Sequence, residues 1–261
     1  MAGKKDFSEL VDRVIREADI LLMIIDSRRI AESINMEVVS KIRRAGKRLL
    51  FIINKCDLLS EEEQKKLNDD LRRRGKQLGI DAVNDTLQMS AKKHWGTIRL
   101  LKKIMLIGKG NEVTVGVVGF PNTGKSSIIN ALKGRHSAPT SSISGYTKGL
   151  QKIRVSGSVL MIDTPGVIPY GKRDFFRLVE IGAVDSEKVK DPEATATKMI
   201  EDMDGKIEDF FGVQKLRQGQ DALEVLEKIA LKNNALLKGG FPDTARMGRR
   251  IIALWQKGEI R

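Results

Sequence analysis

A mostly parallel α/β sheet with one antiparallel edge hairpin, followed by a small all-helical region, is the architecture this 261-residue chain predicts. Three observations carry that reading. Apolar runs of strand length alternate with amphipathic helical stretches through the first two thirds, which implies crossover units and a sheet covered by helices on both faces. The runs Leu150–Val155 and Val159–Asp163 are separated only by Ser156, Gly157 and Ser158, which allows a hairpin and no crossover. After Pro169 strand runs stop and helical periodicity takes over.

The elements follow in order. Ile20–Asp26 and Arg48–Asn54 are almost unbroken apolar runs, the pattern of strands buried on both faces. Ser33–Ala45 lies between them as a helix. Ser60–Leu78 and Thr97–Ile107 read as helices flanking a short strand at Thr86–Met89. Val113–Gly119 is the next strand, the helix Lys125–Leu132 follows, and the hairpin closes the set. Further helices are expected near Lys172–Val184, Pro192–Met203, Lys206–Phe211, Gln220–Leu237 and Pro242–Lys257. Pro192 and Pro242 suit first-turn positions, where a missing N–H costs nothing. Gly239–Gly240 ends one helix and Asp243 starts the next. The change of pattern places a domain boundary between 1–169 and 170–261.

Composition narrows the partners. No apolar run approaches the roughly 20 residues that span a bilayer. Met1–Leu10 carries Asp6 and Glu9 and has neither the apolar core of a signal peptide nor the acid-free character of a transit peptide. A cytoplasmic monomer with no membrane partner is expected. One cysteine, Cys56, excludes an internal disulfide and a cysteine-based zinc cluster. The net charge of +13 is uneven: residues 170–261 hold 17 Lys and Arg against 16 Asp and Glu, whereas 1–169 hold 30 against 18. Such an excess favours a polyanion, RNA or the ribosome. The plainer reading is that it neutralises nucleotide phosphates and keeps the chain soluble.

Gly119-Phe-Pro-Asn-Thr-Gly-Lys-Ser126 matches GxxxxGK[ST], follows a strand and opens a helix. That context makes it a phosphate loop, in which successive backbone N–H groups and the helix N-terminus face the phosphates. Asn122, Thr123, Gly124 and Ser127 belong to this cradle. Lys125 is expected on the β- and γ-phosphates and Ser126 on Mg²⁺. Asp163-Thr-Pro-Gly166 ends the hairpin. Asp163 can hold a Mg²⁺-bound water there, and the Gly166 N–H can bind a γ-phosphate, a contact that exists only in the triphosphate state. Between the two motifs, Thr147 is the candidate for a second Mg²⁺-binding hydroxyl. Thr140, Ser141, Ser142 and Ser144 are competing loop hydroxyls.

Asn54-Lys-Cys-Asp57 follows a strand. The carboxylate of Asp57 offers two acceptors to the adjacent donors of guanine, N1–H and the exocyclic amine, which adenine lacks. Asn54 braces the loops and the Lys55 stem can lie against the base. In Ser90-Ala91-Lys92, after another strand, the Ala91 N–H can donate to guanine O6.

These motifs resemble the signature of the translation-factor-related GTPases, with NKCD as the fourth, SAK the fifth, GFPNTGKS the first, Thr147 the second and DTPG the third. The order, fourth, fifth, first, second, third, resembles the circularly permuted GTPases of the YlqF/RbgA and YawG group over roughly residues 15–169. The resemblance implies a circularly permuted P-loop GTPase fold. Asp26-Ser27-Arg28 resembles that family's DAR element, and Gly240-Phe-Pro-Asp243 through Trp255-Gln-Lys-Gly258 its last helix. Ile107–Glu112 would be the join. The break falls just after DTPG, so Val167–Lys172 would transmit nucleotide state to the helical region.

A Gln that orients water in many GTPases is replaced here by Val167 and Ile168, as in the group with a hydrophobic residue at that place. The resemblance offers Asn122 as a K⁺ ligand; the other reading is that it caps the loop turn. His94, His136, Cys56 and Arg72–Arg74 carry no function in this reading, and Trp255 is expected in a core. The leading function is a GTP-binding and GTP-hydrolysing switch in large ribosomal subunit assembly. The rival is a GTPase switch on a protein partner with no RNA role. A metabolic P-loop kinase would explain neither NKCD nor SAK.

Overall fold

The computed structural model describes residues 2–78, 85–134, 151–163, 175–182 and 184–260. The chain divides into two compact units, Met1–Gly171 and Lys172–Arg261.

The first unit has strands β1 (Ile20–Asp26), β2 (Arg48–Asn54), β3 (Thr86–Gln88), β4 (Val113–Gly119), β5 (Gln151–Ser156) and β6 (Val159–Asp163). They form one sheet in the order β3-β2-β1-β4-β6-β5, parallel except for the β5–β6 hairpin. The helices are α1 (Ala2–Glu17), α2 (Ile30–Ser33), α3 (Met36–Arg44), α4 (Glu61–Leu78), α5 (Thr97–Gly108) and α6 (Lys125–Lys133). Alternate residues of β1 show why the strand is apolar throughout. Ile20, Leu22 and Ile24 join a core with Leu100, Ile104, Ile128 and Leu132 of α5 and α6. Leu21, Met23 and Ile25 join another with Val14, Ile15, Val39 and Ile42 of α1 and α3. Two covered faces leave no polar position along the strand.

The helix α1 was not anticipated, although Leu10–Val11, Val14–Ile15 and Ala18 carry its helical spacing. Short amphipathic patterns at a chain end are decided by the surface available to them. Here Val11 and Val14 are buried on the sheet.

Register sets the site. Asp26 lies opposite Asn54 across β1 and β2, and Ile24 opposite Gly119 across β1 and β4. After β3 the chain returns to the other side of β1 to start β4, so the strand order reverses between β1 and β4.

The second unit holds α7 (Phe175–Glu180), α8 (Pro192–Asp202), α9 (Lys206–Phe211), α10 (Ala222–Lys232) and α11 (Thr244–Lys257). Asp191, Asp221 and Asp243 cap α8, α10 and α11 with their carboxylates. Pro192 occupies the first turn of α8, as expected. Pro242 does not do so in α11: it precedes the cap Asp243 and pairs with Leu236 in a short bridge. Trp255 is buried among Met199, Leu226 and Ile251, and its indole N–H donates to the Glu180 carbonyl at 2.6 Å.

Candidate functional site

The sequence motifs converge on one edge of the sheet. Asp26, Asn54, Gly119 and Asp163 each end a parallel strand, and Ser90 follows the end of β3. Ligands of open α/β sheets bind at this edge, where the strand order reverses.

One side chain ties three loops together there. Asn54 is 2% exposed; its Nδ2 donates to the Thr123 carbonyl at 2.9 Å, and its Oδ1 accepts from the Ala91 N–H at 3.0 Å. The phosphate loop, the NKCD turn and the SAK loop are thereby held at a common spacing. The Ala91 N–H, the expected donor to guanine O6, is the donor that Asn54 Oδ1 accepts. Ser90 and Trp95 exchange backbone hydrogen bonds at 3.0 Å, closing the SAK loop, and Lys92 is exposed on it. Asp57 sits half-buried in the turn Cys56–Leu58, and its carboxylate accepts no hydrogen bond among the described residues. Neighbouring Cys56 is packed inside. Burial pushes its thiol up to about 12, so it is inert at neutral pH.

The phosphate loop is built on positive φ. Gly119 has φ +150° and Gly124 φ +99°, and Asn122 adopts φ 58° without being glycine. A Cβ on Gly124 would overlap Asn54 Nδ2 and break its bond to Thr123. Gly124→Ala should therefore weaken guanine-nucleotide binding by tenfold or more, from backbone strain of about 1–3 kcal/mol together with the lost brace. Titration with a fluorescent guanine nucleotide measures this.

Lys125 is only 6% exposed, and its ammonium donates to the Phe120 carbonyl at 2.7 Å. Burial pulls it down to about 8, with Asp163 acting weakly in the opposite direction. An incoming phosphate favours the charged form. Binding at pH 8 should therefore take up a proton, and affinity should fall as pH rises through that value. Calorimetry at pH 8 in buffers of different ionisation enthalpy reads the uptake; an identical heat in both would contradict it.

Ser126 Oγ donates to Asp163 Oδ2 at 3.2 Å, while Asp163 Oδ1 is buried with no hydrogen-bond partner among the described residues. A hydroxyl beside an unsatisfied carboxylate oxygen fits a hard divalent cation and its water shell. Mg²⁺ would be held by Ser126, with Asp163 on its water, and would neutralise phosphate charge. Ser127 is exposed in the first turn of α6. Thr147, Gly166, Val167, Ile168 and the Val167–Lys172 segment lie outside the described residues.

Asp26 is a site residue whose role the motif spacing alone does not reveal. This carboxylate is 1% exposed, opposite Asn54. It accepts from Arg28 Nε at 3.0 Å and Nη2 at 2.9 Å, and it pairs with Lys55 Nζ at 2.8 Å. Burial drives it upward, but Arg28 and Lys55 outweigh that and hold it well below the usual carboxylate range. Lys55, in left-handed conformation at φ 65°, is lowered by burial and raised by Asp26, with a net fall. The ion pair fixes the direction of the Lys55 side chain beside the candidate base site. An Asp closing a wholly apolar strand needs a cation partner. That was the available signal.

Known proteins give independent bearings. A family model described as 50S ribosome-binding GTPase matches residues 114–227, and one described as elongation factor Tu GTP binding domain matches residues 1–108. An uncharacterized GTP-binding protein of Methanocaldococcus jannaschii is 36% identical over 98% of this chain and 66% of its own length. GTPase grn1 of Schizosaccharomyces pombe is 28% identical over 99% of this chain and 61% of its own. Nucleolar GTP-binding protein 2 of Neurospora crassa is 30% identical over 99% and 41%. The chain thus spans about two thirds or less of these curated relatives. GNP-bound YlqF from T. maritima shares the fold, with TM-score 0.65 and 21% identity over 97% of this chain and 94% of that one.

Proposed function

This chain belongs to the circularly permuted GTPases of the YlqF-related group, and on that premise we propose that it is a GTP-hydrolysing switch acting in assembly of the large ribosomal subunit. The observation that carries the nucleotide part is the Asn54–Thr123 hydrogen bond, which joins residues 69 apart in sequence. It ties the turn that bears Asp57 to the loop that bears Lys125, which supports a single nucleotide held across the two. Lys125, Ser126 and Asp163 serve the phosphates and Mg²⁺; Asn54, Lys55, Asp57 and Ser90–Lys92 serve the base.

Val167 and Ile168 cannot hydrogen-bond the attacking water with their side chains. Turnover should accordingly be slow, and faster with K⁺ if Asn122 ligates it and with the partner bound. Equal rates in Na⁺ and K⁺ buffers would remove the potassium role.

The ribosomal part rests on three supports: the basic excess in residues 1–169, the 50S ribosome-binding description of the matching family model, and the nucleolar relatives. The near neutrality of residues 170–261 favours the rival, a protein partner without RNA. Co-sedimentation separates the two readings. Salt-sensitive association with large subunits in a GTP analogue but not GDP supports the ribosome. No association in either state supports the rival.

A further inference from the structure

Between Asp85 and Asp163 the only acidic residue is Glu112. Part of that stretch forms α5 and the loop before it. The helix buries Thr97, Leu100, Leu101 and Ile104. Its outward stripe of Ile98, Arg99, Lys102, Met105 and Leu106 recurs at helical spacing and is exposed. Lys93 and Trp95 continue the exposed surface past the helix start. Lys93, Arg99 and Lys102 form no ion pair among the described residues. Trp95 leaves 46% of its surface in water, although its backbone is pinned to Ser90.

A stripe serving only solubility mixes both signs of charge and avoids large apolar side chains. Here Lys93 and Arg99, both exposed, lie two and four positions from an exposed indole. That combination holds single-stranded nucleic acid, with phosphates on the cations and an unstacked base on the ring. We infer that the Lys93–Trp95–Arg99–Lys102 face is a binding surface for single-stranded RNA. The inference rests on the RNA reading above and gives it a location. It also gives it a coupling. The loop that begins beside the base site at Ala91 ends at Trp95, so a nucleobase stacked on the indole restrains the loop that meets guanine.

The test uses the full chain and a fluorescein-labelled oligouridylate. Trp95→Ala should lower its affinity roughly tenfold, the worth of one base stack. The pair Arg99→Glu and Lys102→Glu should lower it further and flatten its salt dependence. The pair Lys65→Glu and Lys66→Glu, exposed on α4 and equal in charge change, should bind as the parent does. The chain has two tryptophans, Trp95 and the buried Trp255. RNA should quench indole fluorescence in the parent and not in Trp95→Ala. Oligouridylate binding unchanged by both the Trp95 and the Arg99/Lys102 variants overturns this surface while leaving the RNA reading intact. A parent that binds no oligouridylate overturns this surface, while the RNA reading stands or falls on the co-sedimentation. Oligoglutamate competing as well as oligouridylate would mark an acidic protein as the partner and overturn the proposal.

Discussion

Replacing Asp57 by Asn should convert a guanine-selective site into a xanthine-selective one. The carboxylate presents two acceptors to the two adjacent donors of guanine. An amide keeps one acceptor and turns a donor toward the exocyclic amine of guanine, leaving two donors opposed. Xanthine carries a carbonyl at that place and restores the pairing. A buried polar group left unpaired costs about 1–3 kcal/mol, and more when a charge is involved. GTP affinity should therefore fall by about a hundredfold, with XTP gaining in exchange. Asp57 accepts no hydrogen bond among the described residues, so the substitution removes no internal brace. Competition of GTP and XTP against a fluorescent nucleotide measures the switch. Unchanged preference would show that another residue reads the base.

Asp26→Ala should cost more stability than any surface change. It leaves Arg28, with 4% of its side chain exposed, and Lys55, with 19%, without their shared anion. Removing one partner of a buried ion pair costs about 3–5 kcal/mol. The pH dependence has a definite sign. The folded-state pKa of Asp26 is depressed, so its contribution is complete above the unfolded value, near 4, and fades as pH falls further toward the folded one. The gap between parent and variant in urea unfolding should thus be constant near neutrality and narrow in acid. GTP affinity should drop as well, because Lys55 loses the group that directs it. A variant as stable as the parent at neutral pH would make the ion pair incidental.

Much of the first unit was legible in the chain. The bounds of β1, β2, β4 and β6 follow from apolar runs flanked by polar residues, because a strand covered on both faces tolerates nothing else. The permuted order was readable too, since each motif carries its own chemistry within a few residues. The helix α1 and the place of Pro242 were not. The helix α1 depends on a sheet face built from segments far along the chain, and Pro242 on a short chain reversal that bridges it to Leu236.

What the amino-acid order alone determined is which groups can touch phosphate, magnesium and guanine, since these are properties of side-chain type and local spacing. Only the tertiary structure decided which distant partners hold them: Thr123 and Ala91 for the bracing Asn54, and Lys55 for Asp26. The reason is physical. Those bonds arise from strand register and from the reversal between β1 and β4, which place residues dozens of positions apart within hydrogen-bond reach.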